Sequence, residues 1–286
     1  WSWSRGLGDV YKRQIILSLL FGDDDLQKTL MIVNTAGHDT DCNSGNVGCI
    51  MGIKNGLEGL RNGPDYLTPI QDRMYCPTAN GGETQTDALT EAYKVINTAK
   101  KMNKEETVEP KNGSRFHFEM PGSVQGWRSS FKNNKNISTI VQNTEYESSI
   151  GKRALEIKFD RVAPGVCSEA VVDTFFPQEL YELTGSARER FFQSYNFISC
   201  PLLYSGQNIE SEIIFKSNSQ KPITVTCFIN VFGEEDNYER INSDSVVLFP
   251  DKSQKLKWKI PSTEGNPITQ VGFSIAVSYT HLTLPT

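Results

Sequence analysis

The sequence predicts a two-part chain, helical first and then an antiparallel β-sandwich of jelly-roll type. Three observations carry that reading. From Ile15 to about Asn103 apolar residues recur with helical period. The stretch 104–114 is charged and turn-rich, which suits a linker. Beyond it the period becomes two, in short runs separated by Gly, Pro, Asn and Ser, the pattern of an antiparallel sandwich.

The first part opens with an apolar run, Ile15 to Phe21, followed by Asp23-Asp24-Asp25. Lys12-Arg13 ahead of that run imitates a signal peptide. The run is short, however, and acids stand where a small-residue cleavage site would be, so the end of a truncated core helix is expected. Leu26 to Ala36 reads as a second helix, stopped by Gly37, a residue suited to the left-handed conformation. Asn43 to Leu60 places Val47, Ile50, Met51, Leu57 and Leu60 on one face. Gly48, Gly52 and Gly56 recur at every fourth position, which predicts a backbone packed very close to that helix. Arg61-Asn62-Gly63-Pro64 ends it. A loop through Tyr75-Cys76-Pro77 and Gly81-Gly82 leads to a last helix carrying Leu89, Tyr93 and Ile96, with Lys100 and Lys101 at its C-terminal end.

In the second part, Arg115 to Met120 and Ala154 to Asp160 alternate cleanly. Further strands are expected near 137–141, 168–175, 197–204, 209–216, 222–232, 243–249, 253–259 and 269–277. Both termini lack useful periodicity. Residues 1–14 and 278–286 resemble translated linker sequence and are set apart as non-native tails. The domains are then 15–103, the linker 104–114, and the sandwich 115–277.

Composition narrows the function. A net charge of −5 argues against a nucleic-acid or anionic-membrane partner. The six cysteines stand apart without a CxxC pair, which suits neither zinc nor a disulfide scaffold. No stretch has transmembrane length. Neither a Ser-His-Asp grouping nor a phosphate-binding glycine loop stands out. Asn136-Ile137-Ser138 fits a glycosylation acceptor, a pattern too common to locate the protein.

The chemistry concentrates between Gly37 and Gly48. Asp39 and Asp41 lie two residues apart, so in an extended connector both carboxylates face one volume. Two such charges roughly 5 Å apart repel by about 3 kcal/mol at an effective dielectric near 20. Water, a helix N-terminus or a hard divalent cation would offset that. Asp41 or Asn43 acting only as a helix cap is the plainer reading. A self-sufficient calcium loop is excluded, because counting from Asp39 position six is Ser44 and position twelve is Ile50.

Gly37-His38-Asp39-Thr40-Asp41-Cys42-Asn43, preceded by Phe21-Gly22-Asp23-Asp24-Asp25 and followed by Gly63-Pro64-Asp65-Tyr66, resembles the C-terminal metal motif of the ADP-ribosylglycohydrolase family. The resemblance runs from about Ile15 to Met102. It implies a truncated all-α bundle and a parent hydrolase that cleaves a ribosyl glycosidic bond with magnesium (or manganese). Asp39 and Asp41 would be metal ligands. Cys42 stands where that family often has a hydroxyl ligand, a poor exchange for a hard ion. The other ligands and the catalytic groups would lie upstream, so this chain is expected to be inactive.

The second part more loosely resembles galactose-binding-like and carbohydrate-binding sandwiches, through Phe116-His117-Phe118-Glu119, Gly126-Trp127 and Gly151 to Ile157. It implies a possible glycan partner, with Trp127, Tyr146, Tyr195 or Trp258 as stacking platforms; each is also a natural core residue. The alternative function is therefore a non-catalytic glycan-binding or adhesion protein with a degenerate helical part. The first resemblance implies a cytoplasmic protein and the second allows a secreted one.

Overall fold

A computed structural model describes the chain except residues 1, 38, 77–80, 131–137, 161–164, 177–179, 181–182, 195–198, 234–236 and 278–286. It divides into two compact units, Trp1–Pro69 and Ile70–Thr286.

The first unit holds three helices, α1 (Ser2–Phe21), α2 (Leu26–Thr35) and α3 (Thr40–Arg61). Their small core is Leu26, Val33, Val47 and Met51, with Ile15, Leu19, Leu30 and Leu60 against it. Asp23 and Asp24 take positive φ in the turn after α1, and Asp25 caps α2 by accepting from the Lys28 N–H at 2.6 Å. Asp23 pairs with Lys28 and Asp24 with Lys54, so the acid triplet is spent on the turn. Residues 2–14, set apart above for want of periodicity, continue α1. The glycine ridge differs from expectation. A methyl group added at Gly45, Gly48 or Gly52 would meet nothing within 4 Å, so no backbone packs against it here. At Gly56 α3 breaks, with φ 63° and ψ −168°. Ile50 and Leu57, expected on the buried face, are exposed.

The second unit begins well before the charged stretch 104–114. A hairpin of β1 (Arg73–Tyr75) and β2 (Gln85–Asp87) runs into α4 (Ala88–Met102), capped by Asp87, which accepts from the Thr90 N–H at 2.8 Å. Residues 70–103, grouped with the helices on periodicity, thus belong with the strands. Bonds explain why. The Asp72 carboxylate accepts from the Ser123 hydroxyl at 2.5 Å and the Val124 N–H at 2.8 Å, and Gln71 O accepts from the Gly126 N–H at 2.8 Å.

The strands β3 (Arg128–Ser129), β6 (Ser168–Asp173), β11 (Ile268–Val277), β8 (Ile223–Phe232) and β9 (Tyr238–Leu248) form one antiparallel sheet in that order. The pairs β4 (Thr139–Glu145) with β5 (Arg153–Phe159), and β7 (Asn208–Ile214) with β10 (Ser253–Lys259), lie opposite. Between the layers Trp127, Ala170, Val172, Cys227, Ile229, Val231 and Val271 meet Val141, Leu155, Ile157, Ile209, Leu256 and Trp258. That shared core makes the unit a sandwich. Among the described residues a further helix, α5 (Gly185–Ser194), interrupts the strands where none was expected.

Arg115–Met120 is not a strand. Phe118 takes φ 59°, and Gln125 Oε1 accepts the N–H groups of both His117 and Phe118 at 2.8 Å. Phe116 and Phe118 still pack on the core, so the alternation was real although its backbone is irregular. The described part of 197–204 is also without strand.

Candidate functional sites

In the helical unit, Gln14 anchors the loop between α2 and α3. Its amide donates to Gly37 O at 2.6 Å and Ala36 O at 3.2 Å, and its carbonyl accepts from the buried Asn43 amide at 2.7 Å. Asn43 is thus a core tie rather than a cap. Asp39 is the N-cap of α3, yet its side chain makes no capping bond. It turns instead toward Asp41 and Cys42, and ligand atoms of the three lie within 4.8 Å of one another. The hydrogen bond with Asp39, then those from the Cys42 and Asp41 N–H groups, holds the Asp41 carboxyl below its usual range. A separate hydrogen bond between Cys42 and Asp39, with the charges of both acids, pushes the Cys42 thiol up. Two carboxylates can bind a hard ion, which otherwise asks for six or more oxygens. A protonated thiol beside them adds nothing for such an ion. His38 lies outside the described residues.

The second candidate is the face of the five-stranded sheet turned away from the core. Register places Asp173, Gln270, Asn230 and Arg240 side by side across β6, β11, β8 and β9. Their side chains bond in sequence. Arg240 Nε lies 3.5 Å from Asn230 Oδ1, Asn230 Nδ2 donates to Gln270 Oε1 at 2.9 Å, and Gln270 Nε2 donates to Asp173 Oδ1 at 2.9 Å. Arg128, 2% exposed, donates to the same carboxylate at 3.0 Å, and Arg73 reaches it at 3.4 Å.

One row further along, Val171, Gly272 and Phe228 are aligned. Gly272 has no side chain, and the Phe228 ring occupies that space. Arg240 crosses over the ring, 3.8 Å from its centroid, and grips Glu169 on β6 with bonds of 2.6 and 3.1 Å. Burial would push the Glu169 carboxyl up. The bond and charge of Arg240, helped by Cys167 and Ser274, outweigh that and hold it down. The result is a polar circuit that leaves β6 at Glu169 and returns to it at Asp173, Glu169–Arg240–Asn230–Gln270–Asp173, around an aromatic and glycine centre. Tyr238 packs edge-on against Phe232 beside it, at 5.3 Å.

Sequence reasoning missed this circuit, because the residues come from four strands distant in sequence. The available signals were Gly272 inside a strand, and Glu169, Asp173, Asn230 and Gln270 in strands otherwise apolar. Of the four proposed aromatic platforms, Trp127 is buried and Trp258 packs half-buried on the core. Tyr146 is half-buried under Lys216, and Tyr195 lies outside the described residues. A cavity of about 20 Å³ beside Arg73, Gln85, Gln125 and Asp173 is large enough for about one water and too small for a sugar ring.

No protein-family model matches the chain, and no curated protein matches it. Among solved structures, the sandwich is similar to the CBM22-2 xylan-binding domain of Paenibacillus barcinonensis Xyn10C. That match has 11% identity and TM-score 0.34, covering 58% of this chain and 84% of the other. It is also similar to the C-terminal family 22 carbohydrate-binding module of Clostridium thermocellum Xyn10B, with 14% identity and TM-score 0.34 over 56% of this chain and 82% of that one. Likenesses of this size carry no argument about function.

Proposed function

We propose that the chain is a glycan-binding protein, with the outer face of the five-stranded sheet as its binding surface. The observation that supports this reading is the polar circuit around Phe228. Sugars offer hydroxyls that both donate and accept, together with C–H faces that pack on aromatic rings. The exposed Arg240 guanidinium and the half-buried Phe232 and Tyr238 rings supply both kinds of partner, while the buried amides, carboxylates and Phe228 ring behind them hold Arg240 in place. Arg240 and Tyr238 are its accessible members. The test is affinity electrophoresis of the full chain through a panel of soluble polysaccharides. Retardation by one of them should weaken roughly 30-fold in Arg240→Met or Tyr238→Ala, the factor that loss of a 2 kcal/mol contact gives. No retardation by any glycan, or retardation of both variants equal to that of the wild type, would overturn the reading.

A second reading rests on the cluster of Asp39, Asp41 and Cys42: a helical unit derived from a magnesium-dependent ADP-ribosylglycohydrolase-like hydrolase, inactive in this chain. The two aspartates would hold the ion, which in a complete site would orient ribose hydroxyls and water. Magnesium should raise the melting temperature of the wild type and leave the Asp39→Asn/Asp41→Asn variant unmoved. Equal shifts in both would remove the aspartates from the metal site.

A further inference from the structure

The alternation of Arg115 to Met120 puts His117 on the polar side of that run. It is instead 6% exposed and packed edge-on against Tyr93 of α4, with ring centroids 5.1 Å apart. Its Nδ1 accepts the Glu119 backbone N–H at 3.2 Å. A neutral imidazole that accepts at Nδ1 carries its proton on Nε2. A second proton must therefore land on Nδ1, where it faces another donor.

The segment holding this bond is strained. Phe118, between the bonded residues, has φ 59°, a conformation costly for a bulky side chain. Two Gln125 bonds and the Nδ1 bond hold it there. Glu119 in turn accepts from the Lys152 N–H at 3.0 Å and the Arg153 N–H at 3.3 Å, at the turn joining β4 to β5. Arg115, two residues before the histidine, ties the segment to the α4 cap through Asp87 at 2.8 Å.

We infer that His117 is an acid-released latch, whose protonation frees the 115–119 segment from α4 and from the β4–β5 turn. The charged groups around it come from every packed element. Burial disfavours the imidazolium most; Asp87 and Glu119 favour it, while Lys111 and Arg115 disfavour it. The balance lies below the ordinary histidine value, so the latch is closed at neutral pH. As pH falls below about 6.5, the open chain takes up a proton that the closed one refuses.

The experiment is amide hydrogen exchange of the full chain between pH 7.5 and 5, corrected for the intrinsic pH dependence of exchange. Opening of residues 88–103 and 115–119 should rise about tenfold for each pH unit between the open and closed pKa values. His117→Asn keeps an acceptor at the δ position and cannot titrate, so its profile should be flat. An equal acid response in that variant, or none in the wild type, would overturn the inference. If the variant does not fold, ring ¹⁵N shifts of wild-type His117 decide. An Nδ1 that stays unprotonated through pH 6.5 supports the latch, and ordinary titration without opening refutes it.

Discussion

Replacing Gly272 with Ala is the sharpest test of the sheet-face architecture. A methyl group there would lie 2.5 Å from Phe228 Cζ, 2.7 Å from Ala170 O and 2.8 Å from Val171 Cγ1. The second of these belongs to the backbone of a neighbouring central strand and the third to a β-branched side chain. Only the ring can yield, and it is fully buried with Arg240 across it. Overpacking of this kind costs about 1–3 kcal/mol, against a gain near 0.5–1 kcal/mol from removing a strand glycine. The three simultaneous contacts put the net loss at about 1–2 kcal/mol, or roughly 2–8 °C in melting temperature for a unit of this size. Urea unfolding followed by tryptophan fluorescence measures it, since Trp127 stacks on Phe273 in the adjoining core at 5.7 Å. Phe228→Leu added to Gly272→Ala should recover part of the loss, with a coupling above about 0.5 kcal/mol. A Gly272→Ala variant as stable as wild type, or a double variant with additive losses, would refute the packing argument.

The other predictions concern the cysteines and the open helix face. Cys42 should alkylate faster at pH 8 once Asp39 and Asp41 become Asn, because their bond and charges hold its thiol up; an unchanged rate would separate thiol from acids. Cys227, fully buried with its thiol pushed up to about 12, should stay unreactive toward Ellman's reagent until the sandwich unfolds, and fast labelling in native buffer would contradict its core position. Gly52→Ala should stabilise the helical unit by about 1 kcal/mol, as read from its melt, since nothing lies within 4 Å of the added methyl; destabilisation would reveal a packing partner.

Periodicity was a good guide wherever one rule governed a whole element. The alternation of 153–159, 208–214, 253–259 and 268–277 marked strands to within a residue or two, because a half-buried strand imposes period two. It failed at Arg115–Met120, where side chains alternate but the Gln125 amide takes over the backbone donors. It misassigned α4, since a helix's apolar stripe gives no sign of whether a helix or a sheet covers it. Asp39, Asp41 and Cys42 were legible because one turn holds all three. The Glu169–Arg240 circuit was not, because only strand order and register bring its members together.

The bonds from Asp72 and Asp87 to 115–126 carry a practical lesson about borders. Arg115 and Gln125 both reach the Asp87 carboxylate, and three donors from 123–125 converge on Asp72. A scissor placed at the charge-rich stretch would look natural on composition. It would nonetheless tear away the acceptors for a whole loop and bare the Tyr93 side of His117. Buried donors stripped of their acceptors cost about 1–3 kcal/mol each. A free-standing sandwich should therefore be cut from the gene at Ile70. The border along the chain thus falls after Pro69, and α4, for all its helical period, is a working part of the strand-rich unit.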